Sequence, residues 1–202
     1  TQSNSFDCTA ASIVYAINGF PFKSLIFLSF NPLEPLLAGM IAQAYGAHAI
    51  LLDLVDERLQ FAKELGIEYV INSKTEDTIK RISEITNGVM AQQVMECSGA
   101  NAAIRSTLDL VSNAGRITLT GWPKTETPLP TDLITKKEVD IRGARTSAGE
   151  FEEAIELIHS GRVDIKKILT KVISIDEAPA TIIDIEKNPG NYMKVVVQVN
   201  EP

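Results

Sequence analysis

From residue 36 onward, short apolar runs alternate with helical patterns, and this alternation limits the fold more than any other feature of the chain. "HAILLD" at 48–53 is an apolar run of strand length that ends in an acid. "DERLQFAKELG" follows, with Leu59, Ala62 and Leu65 on one helical face and Gly66 as the stop. "EYVIN" predicts a strand, and "EDTIKRISEITNG" a helix with Ile79, Ile82 and Ile85 roughly in line. "QQVMECSG" predicts the next strand. "AAIRSTLDLVSNAG" predicts a helix that groups Ile104, Leu108 and Val111, and "GRITLTG" a further strand. Parallel strands need long crossovers, so this order calls for an α/β fold with helices on both faces of a parallel sheet. The right-handed crossover rule makes a doubly wound sheet the leading topology.

After Gly121 the rhythm changes. "WPKTETPLP" is a proline-rich loop, and "EVDIRGA" at 138–144 predicts another strand. In "SAGEFEEAIELIHSG", Ser147 and Glu150 have capping-box spacing, and Phe151, Ala154, Ile155 and Ile158 form the predicted buried stripe. "TKVISI", "DEAPATIIDIEKN" and "NYMKVVVQV" predict strand, helix and strand. Residues 1–35 differ in composition, with Asp7, Lys23 and Glu34 as their charged residues; they predict a helix near 8–18 and a strand at "LIFLSF".

The net charge of −7 argues against nucleic acid, whose phosphates need a basic footprint. Cys8 and Cys97 lie far apart and match no zinc or redox spacing, which favours a reduced, cytoplasmic setting. With His48 and His159 as its two histidines, the chain cannot build both a catalytic and a structural zinc site of the usual composition, so no metal ligand is assigned. The apolar opening is interrupted by Asn18, Gly19, Pro21 and Lys23, so no membrane span is expected.

The stretch "FNPLEPLLAGMIAQAYGA" at 30–47 opens a helix where a dinucleotide-binding unit carries G-x-G-x-x-G. Its three glycine positions hold Phe30, Pro32 and Pro35. Neither proline can donate an amide, although Pro35 is tolerated at a first helical position. Glu34 adds a negative charge where a diphosphate would lie. Asp53, a little over twenty residues later, ends the second strand, where an acid accepts hydrogen bonds from the adenosine ribose and disfavours a 2′-phosphate. The alternative is a structural cap on the next helix, a task that Asp56 could equally perform.

The runs "AGMIAQAYGAHAILLDLVDERLQFAKELGIEYVIN", "VMECSGANAAI", "GRITLTGWP", "EVDIRGART" and "FEEAIELIHSGRVDIKKILT" resemble the Rossmann-like cofactor domain of zinc-containing medium-chain dehydrogenases, the sorbitol and threonine dehydrogenase branch in particular. The resemblance covers about residues 36–199; a second alignment stays open, in which "NPLEPL" resembles a family segment lying before the cofactor domain and the first strand and glycine turn are deleted rather than mutated. It implies NAD as cofactor and oxidation of a secondary alcohol as the family reaction. It places Asp53 on the adenosine ribose, Arg58 beside the adenine, Ser98 at the ligand-bearing carboxyl end of the fourth strand, and Thr120, Gly121 and Trp122 near the nicotinamide end, with Arg145 and Thr146 lining the same cleft. Cys97 reads as a small buried hydrophobe.

Nothing in residues 1–35 resembles the family's zinc-bearing catalytic domain, so the expectation is a truncated chain with that domain missing, no catalytic residue of its own and NAD binding weak or lost. The implied divisions are a divergent segment at 1–35, a dinucleotide-binding domain at 36–146, and a carboxy-terminal part at 147–202 that would pack toward the missing domain. A homo-oligomer through an edge strand near "EVDIRGA" is a further expectation. A non-enzymatic interaction module on the same sheet stays open, as does, more weakly, a transferase using another adenosine cofactor.

Overall fold

The strands and helices alternate as the apolar runs require. The structure, a computed structural model, describes residues 24–28, 33–145 and 149–199. The predicted helix near 8–18, Phe30, Pro32, Thr146 and the capping residue Ser147 lie outside those residues. In chain order the first unit contains β1 (Ser24–Leu28), α1 (Leu33–Ala44), β2 (His48–Asp53), α2 (Asp56–Glu64), β3 (Tyr69–Asn72), α3 (Thr78–Ile85), β4 (Ala91–Glu96), α4 (Asn101–Leu110), β5 (Val111–Leu119), α5 (Thr131–Lys137), β6 (Asp140–Gly143) and α6 (Phe151–His159). The second unit, from Asp164 onward, holds β7 (Leu169–Ser174), α7 (Ala178–Lys187) and β8 (Lys194–Gln198).

The six strands of the first unit form one sheet in the order β3-β2-β1-β4-β5-β6, all parallel. This is the doubly wound order, with the reversal falling between β1 and β4. β1, drawn from the compositionally odd start of the chain, is a central strand with partners on both sides. The core cluster includes Ile26, Ile50, Ile71, Ile82, Val94 and Leu108, all fully buried. Each such side chain contributes about 1.5–3 kcal/mol by leaving water. α1 packs on the sheet through Leu36, Leu37, Ala38 and Ile41.

α1 begins at Leu33, which puts Pro35 at its third position rather than its first. The proline still does no harm there, because the first four helical amides have no intrahelical acceptor. α3 starts on Asp77, whose carboxylate accepts from the Lys80 amide at 3.0 Å.

Four sequence readings are corrected by packing. Val111 opens β5 instead of closing α4. Ile79 is 51% exposed while Ile82 is fully buried, because a spacing of three drifts off the helical face. On α6, Ala154 and Leu157 are buried, whereas Ile155 and Phe151 face outward, so the buried stripe is rotated from the predicted one. Residues 131–137, left unassigned between the proline-rich loop and the strand at 138–144, form α5, which closes on Glu138 in a left-handed conformation (φ 55°).

In the second unit β7 and β8 pair in parallel, with α7 between them as the crossover. Pro179 lies at the start of α7, where a missing amide hydrogen costs nothing.

Candidate functional site

The register of the sheet brings the candidate residues to one edge. Leu52 pairs with Leu28, Leu28 with Glu96, Glu96 with Leu119, and Leu119 with Gly143. Asp53, Cys97, Thr120 and Ala144 therefore each stand one residue beyond a common line at the carboxyl ends of the strands. Open α/β sheets bind ligands at this edge, near the reversal of strand order.

Asp53 is 4% exposed. Its Oδ1 accepts from the amides of Leu54 at 2.7 Å and Val55 at 3.0 Å. Arg58, reaching back from α2, places Nη1 3.7 Å from the same oxygen. Asp53 does not cap α2, whose N-cap is Val55 and makes no side-chain cap bond. Asp56 does not cap it either, since its carboxylate accepts from the Asn72 side-chain amide at 2.7 Å. Among the described residues, no donor engages Asp53 Oδ2. A buried carboxylate with one oxygen fixed by the backbone and the other open is suited to accept a ligand's hydroxyl groups.

At the end of β4 the organising residue is Glu96, which the sequence reading passed over. It is fully buried. Its carboxylate accepts from the Ser98 amide at 2.8 Å, from the Ser98 hydroxyl, and from the Gly99 amide at 3.1 Å. Its main-chain oxygen accepts from the amides of Thr120 and Gly121, each at 2.9 Å, and from Thr120 Oγ1 at 3.0 Å. One residue thus ties the loop after β4 to the loop after β5. The two loops meet backbone to backbone: a Cβ on Gly121 would lie 2.1 Å from the Gly99 nitrogen, and one on Gly99 would lie 2.6 Å from the Trp122 oxygen. Gly99 also takes a φ of 67°. A signal for Glu96 was present in "VMECSG", where an acid ends an apolar strand just as Asp53 does.

Ser98 and Thr120 serve this joint. The Ser98 hydroxyl donates to Glu96 and accepts from the Ala100 amide, and Thr120 donates to the Glu96 carbonyl. Cys97 is buried among them, and burial pushes its thiol well above the usual range. A hydrogen bond with Thr120 partly opposes that rise, while Glu34 and Glu96 add to it. The thiol is thus kept neutral, as expected of a small buried hydrophobe.

Trp122 and Arg145 come together at the same edge, with the guanidinium 4.5 Å from the indole centroid. Trp122 is 72% exposed. The pair is a cation–π contact on the rim. Thr146 lies outside the described residues.

Glu34, in the first turn of α1, is half-buried, and its carboxyl is raised above the ordinary range by burial and then by the charge of Glu96. Among the described residues no three His, Cys, Asp or Glu side chains converge as metal ligands would. The donor set for a zinc ion is therefore not assembled by these residues. No described helix is long and apolar enough to cross a membrane.

Comparison with known proteins shows the family and the fold. Residues 36–160 match the zinc-binding dehydrogenase family. An uncharacterized zinc-type alcohol dehydrogenase-like protein of Haemophilus influenzae is 54% identical over 160 residues, covering 79% of this chain and 47% of that protein. The sorbitol dehydrogenase of Bacillus subtilis is 30% identical over 182 residues, covering 89% of this chain and 51% of the enzyme. An alcohol dehydrogenase of Escherichia coli CFT073, described as short chain and solved in complex with NADH, superposes with a TM-score of 0.86 at 22% identity, covering 96% of this chain and 57% of that one. The chain spans about half the length of the curated relatives it matches. It belongs to the zinc-binding dehydrogenase family, and it carries that family's doubly wound cofactor domain.

Proposed function

We propose that this chain provides the NAD-binding half of an alcohol or polyol dehydrogenase, with a diphosphate seat so altered that cofactor binding is weak or lost. The observation that carries the reading is Asp53, buried at the end of β2 with one carboxylate oxygen held by two amides. On this reading Oδ2 accepts the ribose hydroxyls of the adenosine half, and its charge opposes a 2′-phosphate. Arg58 steadies the carboxylate and flanks the adenine. The joint built by Glu96, Gly99, Thr120 and Gly121, rimmed by Trp122 and Arg145, positions the nicotinamide end. A nicotinamide cofactor, when bound, accepts the hydride from the alcohol carbon.

The residues present fit the two ends of such a cofactor and oppose its middle. Phe30, Pro32 and Pro35 replace the three glycines of the turn, and the prolines have no amide hydrogen to give. Each lost charge-assisted bond is worth about 1.5–3 kcal/mol. A like charge from Glu34 about 4 Å away would add roughly 4 kcal/mol before screening. No step through zinc is derived, because the described residues do not assemble its ligands. Alcohol oxidation would depend on a catalytic domain of the kind carried by full-length relatives.

The reading is tested by NADH titration, followed through nucleotide fluorescence, on the unaltered chain, D53A and E34Q. The expected result is binding no tighter than about 0.1 mM, tightened by about tenfold in E34Q and abolished in D53A. Micromolar binding that D53A leaves intact would overturn it. The same reading extends to self-association: β6 is an edge strand, and pairing with β6 of a second copy would continue the sheet.

A further inference from the structure

A second concave site lies at the amino ends of the strands, across the sheet from Asp53 and Glu96. It is a cavity of about 420 Å³, within the usual range for small-molecule sites. Ser24, His48 and Tyr69 enter it from the first positions of β1, β2 and β3, and Gln92 from β4. Ile85, Val89 and Met90 supply its apolar wall.

Two further observations set this cavity apart from an accidental groove. The first concerns its aromatic side. The His48 and Tyr69 rings stand 6.5 Å apart, tilted by 60°. Glu68 neighbours both: its Oε2 lies 2.6 Å from His48 Nδ1, and Tyr69 hydrogen bonding also acts on its carboxyl. These bonds hold the Glu68 carboxyl below the ordinary range, the His48 bond being the largest cause.

The second concerns the opposite wall. Asn87 (φ 52°), Gly88 (φ 82°) and Met90 (φ 69°) place three left-handed residues within four positions, two of them non-glycine. Such conformations cost about 1–3 kcal/mol each outside glycine, and they persist only where surrounding bonds enforce them. Here the Gly88 amide donates to the Ser83 carbonyl at 2.7 Å, and the Met90 amide to Thr86 Oγ1 at 3.0 Å. The strained turn brings Val89, 61% exposed, and Met90 to the mouth of the cavity. Methionine adapts readily to an aromatic face.

The geometry points to a binding site for a neutral planar aromatic ligand of up to nucleoside size, seated between the His48–Tyr69 pair and the Met90 wall. Asn87 and Ser24 offer hydrogen-bonding groups to the ligand's edge. Among the described residues no lysine or arginine lines the cavity, and Glu68 stands beside His48 on its wall, so an anionic ligand is disfavoured. The site is independent of the cofactor reading, because it shares no residue with the carboxyl edge.

The test is a titration of the full chain with indole, adenosine and adenosine monophosphate, followed by amide chemical shifts. It is run on the unaltered chain, on the D53A background, and on H48A and M90G. Glycine at position 90 relieves the left-handed strain but gives up Met90's packing on the core, and His48 is exposed, so native amide dispersion is verified in both variants before titration. Saturable shifts are expected at residues 87–92 with indole and adenosine, unchanged by D53A. Both H48A and M90G should weaken them by about tenfold, and the monophosphate should bind about tenfold more weakly than adenosine. Absence of saturation at about 10 mM, shifts confined to residues 53–58 and 96–122, or full affinity in both variants would overturn the proposal.

Discussion

Glu34 decides more than its place in the sequence suggests. A carboxyl in the first turn of a helix is ordinarily favoured by the helix dipole. Here burial and the neighbouring Glu96 charge outweigh that benefit and raise its proton affinity. A carboxyl raised in the folded state binds its proton more tightly there than in the unfolded chain. Stability is therefore lost as pH rises from the unfolded value of 4.5 through the folded one. E34Q should raise the melting temperature near pH 8, with the gain disappearing below about pH 4. Thermal scans showing an equal gain at both pH values would show that charge is not the cause. Asp53 and Glu96 make a related contrast. Both are acids ending apolar strands, both are buried, and both bind main-chain amides. One keeps an oxygen that no described donor engages. The other is enclosed by its own loops.

At the level of elements, pattern and packing divide the work. "HAILLD", "QQVME" and "RITL" became β2, β4 and the end of β5 because apolar runs of that length have few alternatives. Helix faces were less legible. Ile79, Ile155 and Phe151 are apolar yet exposed, since the choice of face depends on which neighbour lies opposite. The joint between the β4 and β5 loops shows a similar limit. "ECSG" and "TGW" are twenty-two residues apart, and only folding reveals that Gly99 and Gly121 must touch. G121A forces a Cβ against the Gly99 nitrogen and the Glu96 carboxylate, and it should cost about 1–3 kcal/mol in urea denaturation. A change within experimental error would mean that the loops separate freely, leaving Glu96 without its role as a joint.

For the whole molecule, the open question is what continues the sheet. β3 and β6 are its edges. β6 is only four residues long, with Asp140 bridged to both Arg116 and Arg142. If two copies pair through β6, sedimentation at tens of micromolar should show a dimer. R142E, by placing like charges along the strand, should weaken the dimer by about tenfold. A monomer across that range would remove self-pairing from the proposed function.

The chain by itself determined that it would form a parallel α/β sheet, where its strands would fall, and which acid would end the second of them. These follow from short-range periodicity and from the chemistry of glycine, proline and carboxylate, all of which act within a few residues. Only the tertiary structure decided that Glu96 joins two loops, that Glu34 lies within its field, that Arg145 stacks on Trp122, and that the opposite edge encloses a cavity. Each of these depends on the order and register of strands distant in sequence. Hydrogen bonds and charges act over a few ångströms in space, and residue spacing along the chain does not report that distance.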